Sequence, residues 1–247
     1  LTDVPAGQGG TIGTITYPTG ASGQERSATV WTPPGYDGRR PSMCKGRCMQ
    51  LPSDVSEVTT HYLREVDRAV PGLVTGLYLH GSICWGEFYP ESDVDIVAVL
   101  DHRPVPDEMR ALEVVQATVA GQSSRPFDGF HCLASDLTKP AAECPPLPVF
   151  YQGKFQEHGD LDVNPVTWHE LAERGITLRG PEPADLGIHT DAAELRAFTR
   201  NNLDTYWRNK SEELNRAGDE EIGADGWVTR WCVIGVARLH HLLTTGE

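Results

Sequence analysis

Two aspartates, Asp93 and Asp95, stand at the start of the apolar run VDIVAVL (94–100), and a Gly81-Ser82 pair follows the run LVTGLYL (73–79). Side chains two apart on a strand project to one side, so both carboxylates share a face. Two close carboxylates repel, and the arrangement becomes favourable when a divalent cation bridges them. Mg²⁺ is the natural choice, because it takes hard oxygen ligands, keeps several waters and completes its octahedron with substrate phosphates. Gly81 lets the backbone approach a phosphate closely, and Ser82 offers it a hydroxyl and an N–H. Taken singly, D-V-D reads equally as a solvated strand end and Gly-Ser as an ordinary turn. On consecutive short strands, together, they make a phosphate-and-metal site for a nucleotide the better reading.

The elements around these residues follow from periodicity. Val55, Val58, Tyr62, Val66 and Val70 recur at helical spacing, and Pro71-Gly72 ends that helix. Asp54 with Glu57 predicts a capping box at its start. Residues 73–79 and 94–100 read as buried strands, the second apolar on both faces after Asp95. Pro106 opens a helix through Ala120, and FDGFHCLAS (127–135) is a third, weaker strand. This order predicts an α/β core with a mixed sheet and flanking helices. The Pro-rich stretch 139–148 reads as a loop, and Asn164-Pro165 caps a helix ending at Arg174. Two long helical patterns follow, 191–216 and 225–245, whose Trp, Leu and Val stripes should pack on each other.

The front of the chain has a different texture. Residues 11–17 and 26–32 alternate like strands, PPGYDG (33–38) is a turn, and 39–53 is irregular and basic.

Composition narrows the chemistry. A formal net charge of −14 over 247 residues argues against a general affinity for nucleic acid and suits a cationic small molecule. No apolar run reaches the ~18 residues of a membrane span, and the N-terminus does not read as a signal peptide. Six scattered cysteines, of which only Cys44 and Cys48 are close, make a poor zinc signature and predict reduced thiols in a cytoplasmic protein, and a monomer is expected.

A Gly-Ser pair, about ten residues, then D-h-D followed by apolar residues resembles the signature of the nucleotidyltransferase superfamily that includes polymerase β. The surrounding text is similar to the aminoglycoside adenylyltransferases that modify streptomycin and spectinomycin: LYLHGS, PESDVDIVAVL, HELAERGITLRGP (169–181) and VARLHHLLTTGE (236–247). The resemblance covers residues 54–247. It implies a nucleotidyltransferase domain over 54–180 and an incomplete helical domain over 181–247.

The resemblance also implies roles. Asp93 and Asp95 would hold Mg²⁺, Ser82 and Ser92 would contact the phosphates of ATP beside Gly81, and Arg238 would meet them from the helical domain. The family places a third carboxylate on the next strand as general base, usually Glu; Asp128 stands there, one methylene shorter, though it also reads as a turn residue after Pro126. FYQGKFQEHGD (150–160) resembles a G-E-W stretch whose Trp stacks on the aminoglycoside, which puts Phe155 at the acceptor. Asp225 falls near the acidic positions that bind the cationic antibiotic. Glu157, His158 and Asp160 either add contacts or form a polar loop.

Residues 25–38 (ERSATVWTPPGYDG) resemble the leading strand of feruloyl- and enterochelin-esterase-type hydrolases. No G-x-S-x-G elbow occurs in the chain, so hydrolase chemistry has no nucleophile. The expected organisation is an esterase-like fragment (1–38), a linker (39–53) and the two domains above. The expected function is transfer of AMP from ATP to a hydroxyl of an aminoglycoside-like cation, releasing pyrophosphate, as in antibiotic resistance. The alternative is a fused, truncated nucleotide-binding remnant with little or no catalysis.

Overall fold

A computed structural model describes residues 11–19, 24–32, 51–86, 88–89, 92–217 and 226–246. The chain divides into two compact units, Leu1–Gln50 and Leu51–Glu247. The described part of the first is an antiparallel hairpin of β1 (Thr11–Thr19) and β2 (Gln24–Thr32), paired from Thr11 with Thr32 to Thr19 with Gln24. The PPGYDG turn lies outside the described residues.

The second unit is a six-stranded mixed sheet. Its strands are β3 (Val74–His80), β4 (Val94–Leu100), β5 (Phe127–Leu133), β6 (Leu147–Tyr151), β7 (Lys154–Gly159) and β8 (Ile176–Arg179). They lie in the order β7-β6-β5-β4-β3-β8. Only β4 and β5 run parallel, joined through the crossover helix α2 (Pro106–Gln122). The central strands are apolar on both faces because both are covered. Leu77, Leu79, Val94, Ile96, Ala98 and Phe150 pack against α1 (Ser53–Ala69) and α2. Tyr78, Val97, Val99, Phe130, Cys132 and Val149 pack against a second layer. Its anchors are Leu137, on the single-turn helix α3 (Ala134–Leu137), and Trp168 and Leu171 on α4 (Pro165–Arg174).

Local signals set most of these boundaries. The Val55, Val58, Tyr62, Val66 and Val70 stripe is fully inside. Asn164 caps α4 through its side chain, which accepts from the backbone N–H groups of Val166 and Thr167. The predicted capping box at Asp54 does not form. α1 starts two residues earlier, after Pro52, and Asp54 instead accepts from Val55 N–H and pairs with Arg125.

The 191–216 pattern is not one straight helix. α5 (Ala192–Asn202) passes through a π-helical turn, Leu203–Trp207, into α6 (Arg208–Ala217). A π turn inserts a residue into the helical repeat and re-aims the side chains around it. α7 (Gly226–Thr245) follows, and Trp207 lies against Gly235 so closely that a β-carbon there would overlap its ring. Among the described residues no helix is long and apolar enough to cross a membrane.

Candidate functional site

Strand register brings the acidic residues together. His80 is the partner of Asp95 across β3 and β4, and Asp95 is the partner of Asp128 across β4 and β5. Paired residues of neighbouring strands point to one face, so His80, Asp95 and Asp128 form a row at the edge of the face that α4 covers. Asp93 precedes them on the same side.

The Gly-Ser turn is fitted to this row. β3 ends at His80, and the chain enters a 3₁₀ turn, Gly81–Trp85. Gly81 has φ +71°, and a β-carbon on it would overlap the Asp95 carboxylate. Glycine is required here both by the backbone and by the close approach. Ser82 is buried, and its hydroxyl has no protein partner. A buried hydroxyl without a partner is costly unless a ligand supplies one.

The electrostatics are those of crowded carboxylates. Burial pushes the Asp95 carboxyl well above its ordinary range; His80 pulls it down, while Asp93, Asp162 and Asp128 push it further up. Asp128 is raised to about 6, first by burial and then by Asp93 and Asp162, against a lowering hydrogen bond from Gln152. A dication here fits what the protein offers: a pair of strand carboxylates, a glycine cradle and an unpaired hydroxyl. Among the described residues no group of three or more His, Cys, Asp or Glu side chains is placed to hold a metal. The residues that would hold a Mg²⁺ ion are Asp93 and Asp95, and its other positions would fall to water and phosphate oxygens.

Several members of the site carry no local sequence signal that the motif reading used. Asp162 lies in the turn before α4 with φ +59°, a left-handed conformation that points to a held position. Burial raises its carboxyl; His80 opposes this, and Asp93 and Glu170 add to it. GDLD (159–162) is a second D-h-D, and only its latter aspartate is turned inward; Asp160 is exposed.

His80 is buried with Nδ1 3.9 Å from Glu170 of α4. Burial alone would lower its pKa, but Glu170, Asp95 and Asp162 raise it. Glu170 also accepts from the indole N–H of Trp85, 3.0 Å away, so α4 braces the far end of the Gly81–Trp85 turn.

The β6–β7 connection is a two-residue turn, with Tyr151 paired to Lys154 and both Gln152 (φ +49°) and Gly153 (φ +73°) left-handed. Those angles are those of a type I′ hairpin turn, for which Asn-Gly is the usual sequence and Gln-Gly a weaker cue. The Gln152 N–H donates to Asp128 Oδ1 at 2.9 Å.

The remaining predicted residues are dispersed. The Ser92 hydroxyl accepts from Tyr89 N–H, and Arg125 clamps the same loop through the carbonyls of Tyr89 and Ser92. Arg238, on α7, is exposed and near enough to Glu170 for its charge to hold that carboxyl down. Phe155 is not brought to the row. It pairs with Phe150 and packs in the α1/α2 layer, 6.3 Å from the His131 ring. Asp225 lies outside the described residues. A cavity of about 250 Å³ between α4, α5 and α7, lined by Trp168, His169, Glu173, His189 and Leu242, contains none of the row.

No protein-family model matches the chain, and no curated protein matches it by sequence. Among solved structures, the spectinomycin adenyltransferase AAD(9) from Enterococcus faecialis, determined with ATP and spectinomycin, superposes with a TM-score of 0.58. The match covers 78% of this chain and 77% of that one at 13% identity. A toxin-antitoxin structure with AMP-PNP matches at 13% identity over 62% of this chain and 97% of that one, with a TM-score of 0.30 that carries no weight. The likeness to the adenyltransferase shows the fold: a nucleotidyltransferase-like mixed sheet with flanking helices.

Proposed function

We propose that this chain transfers AMP from ATP to a hydroxyl of an aminoglycoside-like cationic acceptor and releases pyrophosphate. The observation that carries the reading is the close fit of Gly81 to the Asp95 carboxylate beside the unpartnered, buried Ser82 hydroxyl, with Asp128 one strand away.

In this reading Gly81 and Ser82 receive the triphosphate, with Ser92 and Arg238 as further phosphate contacts. Mg²⁺, when bound by Asp93 and Asp95, would neutralise charge on the triphosphate and on the departing pyrophosphate. Asp128 is the general base. Its carboxyl, raised to about 6 by burial and held by Gln152 N–H, is ionised at neutral pH yet basic enough to accept a proton. It takes the proton of the acceptor hydroxyl as that oxygen bonds to the α-phosphorus. The bond from the α-phosphorus to the bridging oxygen breaks, and the electron pair leaves with pyrophosphate.

The acceptor chemistry follows from charge. Asp93, Asp128 and Asp162 crowd the site, on a chain of net charge −14, and favour a cation over a phosphorylated or acidic acceptor. A spectinomycin-bound relative in fold supports a small aminoglycoside-like molecule, and inactivation of such an antibiotic would be the biological outcome.

The test is direct. The protein is incubated with ATP, Mg²⁺ and a panel of aminoglycosides, and pyrophosphate release is measured beside Asp95→Asn. Release that depends on acceptor and on Asp95 is expected. Binding of ATP with no release against any acceptor would leave only a nucleotide-binding module.

A further inference from the structure

Asp93 is gripped on both sides by one short segment of chain. Before it, the Ser92 carbonyl accepts from Arg125 Nη1–H at 3.0 Å. After it, the Val94 N–H donates to the Pro126 carbonyl at 2.9 Å. The same segment runs straight into β5, where Phe127 pairs with Val94 and Asp128 with Asp95. Residues 125–128 therefore set where Asp93 stands relative to Asp128.

Arg125 is itself built in. Its side chain is only 15% accessible, and Nε pairs with Asp54 in the first turn of α1. Nη1 also donates to the Tyr89 carbonyl at 2.9 Å, and the guanidinium lies 4.7 Å over the Phe88 ring. Ser123 closes its backbone: the hydroxyl donates to the Arg125 carbonyl at 2.7 Å and accepts from the Arg125 N–H at 3.1 Å. Tyr89 and Ser92 add a reciprocal pair. Tyr89 N–H donates to the Ser92 hydroxyl and Ser92 N–H to the Tyr89 carbonyl, each at 3.0 Å.

An arginine beside a phosphate site ordinarily reads as an anion ligand. Here Nε and Nη1 are committed to a carboxylate and two backbone carbonyls, the pattern of a side chain that holds the main chain in place. Asp93 precedes β4, so its place depends on the loop before it, and a displacement of about 1 Å at a reacting site costs about 100-fold in rate. Resting on the reading of Asp93 as a Mg²⁺ residue and Asp128 as the base, we propose that Arg125 is a positioning residue of this site. It fixes Ser92 and Asp93 against Asp128 and touches neither nucleotide nor acceptor.

The experiment compares the whole wild-type chain with Arg125→Lys, which keeps the charge but replaces the fork of donors by one ammonium. Calorimetry reads affinity for a non-hydrolysable ATP analogue in EDTA and in Mg²⁺, and hydrogen exchange is followed over 88–94 and 81–86. In Arg125→Lys the gain in nucleotide affinity on adding Mg²⁺ should shrink about tenfold, with affinity in EDTA kept within about twofold. Exchange should quicken about tenfold or more over 88–94 and stay as it was over 81–86. Ser123→Ala, which loosens only the Arg125 backbone, should move both readings the same way by about threefold, and it decides the question should the lysine variant not fold. A residue that merely stabilised the fold would lower the melting temperature and leave the Mg²⁺ gain intact.

The inference is overturned if wild type gains affinity from Mg²⁺ and Arg125→Lys gains as much, or if exchange over 88–94 is unchanged. It is also overturned if affinity in EDTA falls in parallel, which would make Arg125 a nucleotide ligand. A wild type that gains nothing from Mg²⁺, with exchange over 88–94 still quickened in Arg125→Lys, would sink the metal reading of Asp93 and leave the positioning role standing. Acceptor-dependent pyrophosphate release at the wild-type rate in Arg125→Lys would do the reverse.

Discussion

The carboxylate of Asp95 occupies the space that a β-carbon on Gly81 would need. The Gly81–Trp85 turn and β4 are therefore built against each other with no slack. Gly81→Ala forces one of them to move and adds the left-handed penalty of roughly 1–2 kcal/mol for an L-residue at φ +71°. We expect a melting temperature a few degrees lower and loss of nucleotide-dependent turnover out of proportion to it, by about 100-fold or more. A variant with wild-type pyrophosphate release would refute the close fit.

Asp128 makes opposite predictions for activity and stability. As a base it must be ionised, so kcat/KM should fall as pH drops through about 6, and Asp128→Asn should lose about 10²–10⁴ in rate. For stability the sign reverses. A carboxyl whose folded pKa lies above its ordinary 3.8 loses stability as pH rises from about 4 to about 6, by roughly 3 kcal/mol for a shift of this size. Without nucleotide and metal, Asp128→Asn should therefore melt higher than wild type at pH 7 and equally at pH 3.5. A lower melting temperature at pH 7 would contradict the burial argument.

The core of the site was legible because it is local. Gly81-Ser82 and Asp93-Val94-Asp95 sit on two adjacent strands, and their period-2 spacing fixes the shared face. Asp128 was reachable because β5 is the next strand in the sheet. Phe155 was misjudged because the β6–β7 hairpin was invisible in a Pro-rich, polar stretch. In a strand a one-residue change of position reverses the face, and the Gln152-Gly153 turn puts Tyr151 on the site face and Phe155 on the other. Asp162 and Glu170 belong to the site only through tertiary packing of α4 and the turn before it on the sheet, and His80 joins it through the β3–β4 register. The π turn at Leu203–Trp207 leaves no trace in a periodicity of about 3.6.

Asp162→Asn isolates the crowding of charge. Asparagine tolerates φ +59° and keeps the size of the side chain, so only the charge is lost. Burial, Asp93 and Glu170 raise this carboxyl despite His80, so ionising it costs folding free energy above the ordinary carboxylate range. The variant should melt higher than wild type at pH 7 in EDTA, with the gain absent near pH 3. The rise in melting temperature on adding Mg²⁺ and ATP should shrink, since less repulsion remains to be relieved. A variant that melts lower in EDTA would show that Asp162 is held by favourable partners instead.

Glu170 couples α4 to the Gly81–Trp85 turn. It accepts from Trp85 Nε1–H at 3.0 Å, faces His80 at 3.9 Å, and Arg174 of the same helix lies 4.1 Å over the Trp85 ring. Burial would raise this carboxyl, but His80, Trp85 and Arg238 together hold it below its ordinary range. It is therefore charged at neutral pH and sets the geometry of residues 81–85 from behind. Glu170→Ala removes the hydrogen bond from the Trp85 indole N–H and the counter-charge facing the buried His80, costing roughly 1.5–3 kcal/mol. With the turn no longer braced, calorimetric affinity for the ATP analogue should fall several-fold while affinity for the cationic acceptor is kept. Glu170→Gln retains an acceptor for Trp85 and should recover most of the nucleotide affinity but not the full stability, because His80 still lacks its counter-charge. Equal affinity in Glu170→Ala and wild type would mean that the Gly81–Trp85 turn holds its shape without α4.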